Sequence, residues 1–461
     1  MDYDVLVIGT GPAGQRAAQT AAKYKPKVAV VERNPLVGGA SLNTGTIPSK
    51  TLREAAVYLS GRRLRDVYGE SYTVKKDVTM EDLAIRSRYV TQAEREAVKR
   101  RLTHSHIEIF QGVASFVDPH TIQIAGVPRT QTITAEKIII ATGTLPRQPP
   151  GIEFRRGHIM DSDAIPEMTE IPRSLLVIGA GVIGVEYATI FASLNVEVTL
   201  VDGRSTILDF VDREVIDMLM YHMRDLGITI RLGEAVASVE WVRNDRIVAT
   251  LESGKRIITQ SILVATGRRA ATDNLNLAVA GLHTDDSGRL KVNDYFQTEV
   301  PHIYAAGDVI GFPSLASTSM EQGRNAARHA CDREVFRLNE VYPYGIYTIP
   351  EISTVGKTEA ELTKAKIPYE TGVAQYRDIV RGRILGDKAG MLKILFHLET
   401  HEILGVHAIG EGATELIHIG QAVMAHGGKL DYFVDSVFNY PTLAEAYKVA
   451  ALDGISKLSF A

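Results

Sequence analysis

A segment at the start of the chain returns 170 positions later. Asp2–Asn34 aligns without a gap on Pro172–Arg204, so that Val5-Leu6-Val7-Ile8-Gly9 falls on Leu175-Leu176-Val177-Ile178-Gly179. Each unbroken apolar run of β-forming residues reads as a buried parallel strand. A glycine-rich turn, a helix and a second strand follow, Val28–Val31 in the first copy and Val198–Val201 in the second. Each second strand ends in an acid, Glu32 or Asp202. Two βαβ units of this kind restrict the chain to an α/β architecture with at least two doubly wound sheets.

The turns carry the chemistry. In Gly9-Thr10-Gly11-Pro12-Ala13-Gly14 the first glycine permits a tight turn and the second lets backbone approach a pyrophosphate. The third allows strand and helix to pack closely, with the phosphates at the helix N-terminus. Glu32 lies 18 residues past Gly14, close to the ~20 expected for an acid that binds a ribose diol. Gly179-Ala180-Gly181-Val182-Ile183-Gly184 repeats the pattern, with Asp202 again 18 residues on. Two complete fingerprints imply two dinucleotides, and two dinucleotides in one chain suggest electron transfer between them.

The chain has 461 residues, which suggests about three domains. Its net charge of -4, from 51 basic and 55 acidic residues, gives no pull toward nucleic acid or an anionic membrane. The basic run Gly61-Arg62-Arg63-Leu64-Arg65 has no interleaved aromatics and reads as solvated helix, as do Glu94, Arg95, Lys99, Arg100 and Arg101. No leader pattern precedes the first strand and no membrane-length apolar run occurs, so the expectation is a cytoplasmic protein. The single cysteine, Cys331, excludes an intramolecular disulfide. The 13 histidines, among them His401, His407 and His418, form no ligand-spaced cluster, so no metal site is expected. Short strands lead into Ile138-Ile139-Ile140-Ala141-Thr142-Gly143. The proline-rich run Leu145–Pro150 reads as a linker. The second unit closes similarly at Ile262–Val264 and Ala265-Thr266-Gly267. From about Val341 the pattern changes and no glycine-rich loop recurs.

A third motif, Thr298-x-x-Pro301-x-Ile303-Tyr304-Ala305-Ala306-Gly307-Asp308, would alone be only a strand-to-helix turn. Together with the two fingerprints in this order, it makes the chain resemble the pyridine nucleotide–disulfide oxidoreductase family from Asp2 to about Leu458. The resemblance implies two Rossmann-type nucleotide-binding domains and an α+β C-terminal dimerisation domain. The expected divisions are 1–145 for the first part of an FAD domain, 146–264 for an NAD(P) domain, 265–340 for the FAD and central continuation, and 341–461 for dimerisation. It places FAD on Gly9, Gly11, Gly14, Glu32, Thr142 and Gly143, with Asp308 on the ribityl hydroxyls. The resemblance implies that Arg33, Gly39, Ser41, Thr46, Val113, Ala114 and Ala316 belong to the same FAD site. NAD or NADP falls to Gly179, Gly181, Val182, Gly184, Asp202, Arg204 and Gly267. Lys50 and Glu186 are expected to pair beside the flavin as catalytic residues.

The departures are as informative as the matches. Where the family carries Gly-Gly-x-Cys, four residues, then Cys-Ile-Pro-Ser-Lys, this chain has Gly38-Gly39-Ala40-Ser41 and Thr46-Ile47-Pro48-Ser49-Lys50. Ser41 and Thr46 replace both cysteines, and a hydroxyl cannot form a disulfide. Tyr440 stands for the histidine of the family's acid–base pair, while Glu445 remains. The dithiol centre and its proton shuttle are gone, and the flavin and nicotinamide machinery is intact. The chain is similar to family members that move a hydride from NADPH to NAD⁺ through FAD, with the two nicotinamides using one site in turn, and a homodimer or higher homo-oligomer is expected. Asp202 should favour the free ribose of NAD(H). Arg204 suits a 2′-phosphate, with Arg268 and Arg269 as further cations. A quinone or dye reductase or oxidase, and a redox-inert flavoprotein module, are the alternative functions.

Overall fold

The computed structural model describes residues 1–61, 68–69, 77–126, 129–242, 246–336 and 341–458. The basic run at Arg62–Arg65 therefore lies outside the described residues.

The sequence repeat is a structural repeat. Strand Tyr3–Ile8, helix Pro12–Ala21 and strand Val28–Glu32 correspond to strand Ser174–Ile178, helix Val182–Ser193 and strand Glu197–Asp202. In each copy the first strand lies between the second and a later crossover strand, all parallel: Leu6 faces Ala29 and Ile138, and Leu176 faces Thr199 and Ile262. The backbone repeats too. Gly9 and Gly179 have φ of 107° and 108°. A Cβ on Gly14 or Gly184 would lie 1.9 or 1.8 Å from the carbonyl oxygen of Gly9 or Gly179. Only glycine permits that approach of helix to turn.

The first sheet runs in the order Glu108–Gln111, Val28–Glu32, Tyr3–Ile8, Gln131–Ile140, Thr121–Ala125, Val113–Asp118, with Ile303–Ala305 also paired to Gln131–Ile140. The second runs Thr229–Leu232, Glu197–Asp202, Ser174–Ile178, Ser261–Val264, Ile159–Asp161, and a three-stranded antiparallel sheet over 236–259 accompanies it. Residues from Tyr344 to Ile409 form a five-stranded antiparallel sheet. Helices Ala413–Ala425 and Glu445–Leu458 pack against it. This is the mixed α/β architecture expected from the sequence.

Small residues set the helix spacing in the first unit. Ala13, Ala17, Ala18 and Ala21 are buried, and a Cβ on Gly323 in helix Ala316–Ala330 would lie 2.1 Å from the Ala13 carbonyl oxygen. The helix Met80–His104 is largely solvated, as read, and starts with a Thr79–Asp82 capping box. Arg95 departs from that reading: it is half-buried and its Nε donates to Asn43 Oδ1 at 2.8 Å. The linker reading of Leu145–Pro150 is corrected as well. Thr144–Pro146 is a strand paired antiparallel with Arg268–Ala270, and a partner more than a hundred positions away leaves no local signal. Cys331 is buried at the end of helix Ala316–Ala330. Among the described residues no helix is long and apolar enough to cross a membrane.

Candidate functional site

Both fingerprint turns end beside their acid. The Glu32 carboxylate accepts from the Thr10 amide at 3.0 Å and from the Thr10 hydroxyl on Oε2, and from the Asn34 amide at 2.9 Å on Oε1. The Thr10 hydroxyl in turn accepts from the Gly38 amide at 3.0 Å. In the second copy Asp202 Oδ2 accepts from the Ala180 amide at 2.6 Å. Each acid thus pins its own glycine turn.

A cavity of about 910 Å³ begins at the first turn, a size typical of a cofactor cleft. Gly9, Gly11, Glu32, Arg33, Val113 and Ala114 line one end. Gly39, Ser41, Thr46, Thr142, Gly143, Asp308 and Ala316 line the middle. Lys50, Val182 and Glu186 close the other end with Tyr344 and Tyr347. Gly14 is absent because it packs on Gly9, which is the role its position predicts. Gly179, Gly181, Gly184, Asp202, Arg204 and Gly267 lie outside this cavity, around the second turn.

Lys50 and Glu186 come together from separate helices, Thr46–Ser60 and Val182–Ser193. Lys50 Nζ donates to both Glu186 oxygens, at 2.9 and 2.8 Å. Glu186 is buried, and its Oε1 also accepts from the Tyr347 amide at 2.8 Å. Thr189, one turn on, accepts from the Ile349 amide at 3.1 Å. One helix therefore docks the segment that carries Tyr347, and Lys50 Nζ sits 4.8 Å from the Tyr347 ring centroid.

The lining suits a flavin dinucleotide. Thr44 Oγ1 and Thr142 Oγ1 are buried without a hydrogen-bond partner, and both residues face the cavity wall. Buried hydroxyls of this kind want a polar occupant. Asp308 has only long hydrogen bonds from Thr144 and Ser319, at 3.4 and 3.5 Å. Burial pushes its carboxyl up against the opposing pull of Arg268. It has acceptor capacity left for a polyol.

Ser41 and Thr46 both face the cavity where the resemblance expects a dithiol. Tyr440 is exposed and Glu445 begins the last helix; neither lines the cavity. The expected Arg204 cation is not free. It bonds Asp202 through Nε at 3.0 Å and Nη2 at 2.9 Å. Burial raises the Asp202 carboxyl, but the bonds from Arg204 and Ala180 outweigh it and hold it below the usual range. Arg268 and Arg269, the further cations, are also paired. Arg268 is held by Asp163 at 2.9 Å and by Thr144, on the wall of the first cavity, and Arg269 pairs with Asp273.

Sequence reasoning assigned no part to Thr10, Thr44, Asp163 or Tyr347. Thr10 sits at an unspecified position of its motif, and Asp163 has no motif. The contact of Tyr347 with Lys50 spans almost 300 positions. Asp212, Glu214 and Glu359 form a carboxylate cluster. The fully buried Lys393 fills it, with Nζ 2.9 Å from Asp212 and 3.0 Å from Glu214. His407 is buried between Thr354 and the Lys357 carbonyl, His401 pairs with Asp431, and His418 bonds Gln421 at the cavity wall.

Comparison with known proteins places these features. Residues 3–329 match the family described as pyridine nucleotide-disulphide oxidoreductase, and 342–451 match its dimerisation domain. A soluble pyridine nucleotide transhydrogenase of Mycobacterium tuberculosis is 51% identical over 459 residues, covering 99% of this chain and 98% of that protein. The protein of that name from Colwellia psychrerythraea is 46% identical, covering 99% of each chain. Among solved structures, the HOCl-induced flavoprotein disulfide reductase RclA of Escherichia coli superimposes with a TM-score of 0.88 at 26% identity, over 98% of this chain and 99% of that one. LpdA of Mycobacterium tuberculosis gives 0.89 at 23%, also over 98% and 99%.

Proposed function

This chain belongs to the pyridine nucleotide-disulphide oxidoreductase family, and we propose that it is an FAD-dependent transhydrogenase that converts NADPH and NAD⁺ to NADP⁺ and NADH. The observation that carries this reading is the Lys50–Glu186 pair at the end of a cavity whose wall has Ser41 and Thr46 in place of two cysteines. The relatives named as transhydrogenases, 44–51% identical over nearly the whole chain, support it.

FAD, when bound, supplies a two-electron store that takes hydride from one nicotinamide and returns it to another. The residues that would hold it are Gly9, Gly11, Gly39 and Glu32 near the first glycine turn, with Thr142, Gly143 and Asp308 further along the cavity. Residues 1–145 and 265–340 form that domain, 146–264 the nicotinamide domain, and 341–461 pair with a second copy of the chain. Exposed Val437, Tyr440 and Tyr432 suit such a contact. The nicotinamide nucleotide occupies Gly179, Gly181 and Gly184, with Val182 at the cavity end and Gly267 on the opposite turn. Lys50 holds a positive charge there, fixed by Glu186, where negative charge develops. A cytoplasmic location gives such a protein both nicotinamide pools.

Anaerobic addition of NADPH should bleach the flavin absorbance, and NAD⁺ added afterwards should restore it. A flavin that stays reduced in excess NAD⁺ would rule out transhydrogenation and leave a reductase with another acceptor.

A further inference from the structure

The acceptor capacity of Asp202 is full. A carboxylate offers about four acceptor directions on its two oxygens. Oδ1 accepts from the Arg204 amide at 2.8 Å and from Arg204 Nε at 3.0 Å. Oδ2 accepts from the Ala180 amide at 2.6 Å and from Arg204 Nη2 at 2.9 Å.

The N-terminal copy of the repeat is an internal control. Asn34 stands at the position aligned with Arg204, and its amide makes the same bond to Glu32 Oε1. The Asn34 side chain adds no bond to Glu32, so Oε1 keeps a direction open. Only the guanidinium of Arg204 closes the second site.

A ribose diol read as the fingerprint reads it needs the acceptor positions that Nε and Nη2 now fill. A 2′-phosphate needs the opposite: donors, and a carboxylate whose charge is cancelled. Arg204 is able to serve both. Its side chain is 44% exposed, so a change of rotamer disturbs little packing. Its Nη1 lies 3.6 Å from Asp209, a second carboxylate within reach. A Cβ on Gly181 would lie 3.9 Å from Nη2, which puts the guanidinium at the lip of the glycine turn.

We propose that Arg204 is a two-position specificity switch. Clamped on Asp202, it cancels the carboxylate and offers donors to the 2′-phosphate of NADP(H). Swung to Asp209, it exposes Asp202 to the 2′,3′-diol of NAD(H). The proposal rests on the transhydrogenase reading, in which one site serves both nucleotides in turn. The closed clamp reduces the apparent affinity for NAD(H) by the fraction of time it is shut.

The test is stopped-flow reduction of the holoenzyme flavin by NADH and by NADPH, anaerobically, with the apparent Kd of each. Arg204→Ala should raise the NADPH Kd on the order of tenfold or more and lower the NADH Kd several-fold. The gain for NADH is the decisive reading, because loss of a merely structural arginine improves neither. Asp209→Asn, which removes the second resting place, should weaken NADH several-fold and leave NADPH no weaker. If the unaltered protein is reduced by only one nucleotide, function and switch fall together. If it is reduced by both but Arg204→Ala weakens both alike, or leaves NADH unimproved, the switch alone is wrong. An Asp209→Asn protein with unaltered constants overturns the second position.

Discussion

Lys50 donates to both carboxylate oxygens of Glu186, at 2.9 and 2.8 Å, and no other side-chain pair joins the helices that carry them so symmetrically among the described hydrogen bonds. The Lys50 side chain is 26% exposed and that of Glu186 5%. The acid is therefore the fixed member, anchored further by the Tyr347 amide; both line the cavity, and the lysine is the more exposed of the two.

Lys50→Met keeps the length of the side chain and removes its charge. The protein should still bind FAD, because the glycine turns and Asp308 are untouched. Flavin reduction by NADPH should slow, and the flavin potential should fall by roughly 30 mV for each ~1.4 kcal/mol of charge stabilisation lost. Stopped-flow reduction and a redox titration measure the two effects. A normal rate and an unchanged potential would reduce Lys50 to a structural partner of Glu186.

Ser41→Cys should not create a disulfide reductase. The second position is Thr46 and the only native cysteine, Cys331, is buried at the end of another helix, so no dithiol can close. Burial also pushes the Cys331 thiol up to about 11, away from the reactive thiolate. Turnover of glutathione disulfide or lipoamide by this variant, above a blank without protein, would contradict the assignment.

Gly323→Ala tests the packing that holds the FAD-side helices together. The new methyl would meet the Ala13 carbonyl at 2.1 Å. Neither backbone can yield without moving a helix, so a cost of about 1–3 kcal/mol is expected. A lower urea midpoint, together with easier FAD release, is the expected result. An unchanged midpoint would mean that the helices separate at little cost.

His407 should make the protein less stable below pH 6.5. Burial pulls its pKa below the ordinary 6.5, against an opposite pull from Asp212. The folded state thus binds this proton less readily than the unfolded chain. The contribution is whole above pH 6.5 and is lost as pH falls from there toward the folded pKa, with a slope of at most ~1.4 kcal/mol per pH unit. His407→Gln should flatten this part of the urea-midpoint profile. The same slope in the variant would assign it to other groups.

Both glycine turns, both acids and both βαβ units were legible because each depends on residues within about thirty positions. Spacing alone fixes a turn, a helix start and the strand beside it. Glu32 and Asp202 could be named for the same reason: each ends the strand next to its own turn. The loss of the dithiol was also plain, since Ser41 and Thr46 need no geometry to be recognised as lacking sulfur.

Side-chain partnership was not legible in that way. Arg204 was read as suited to a 2′-phosphate, and its clamp on Asp202 was not foreseen. Arg268 was named only as a further cation, and its partner Asp163 was not foreseen. Leu145 was read as linker and is paired in a strand. The sequence by itself determined the two glycine turns, because glycine spacing controls how closely helix and turn backbone approach each other. Tertiary structure decided which charges are free to act there. A guanidinium goes to the nearest carboxylate that the fold brings within reach, and Asp163 lies 105 positions from Arg268, beyond what any local pattern records.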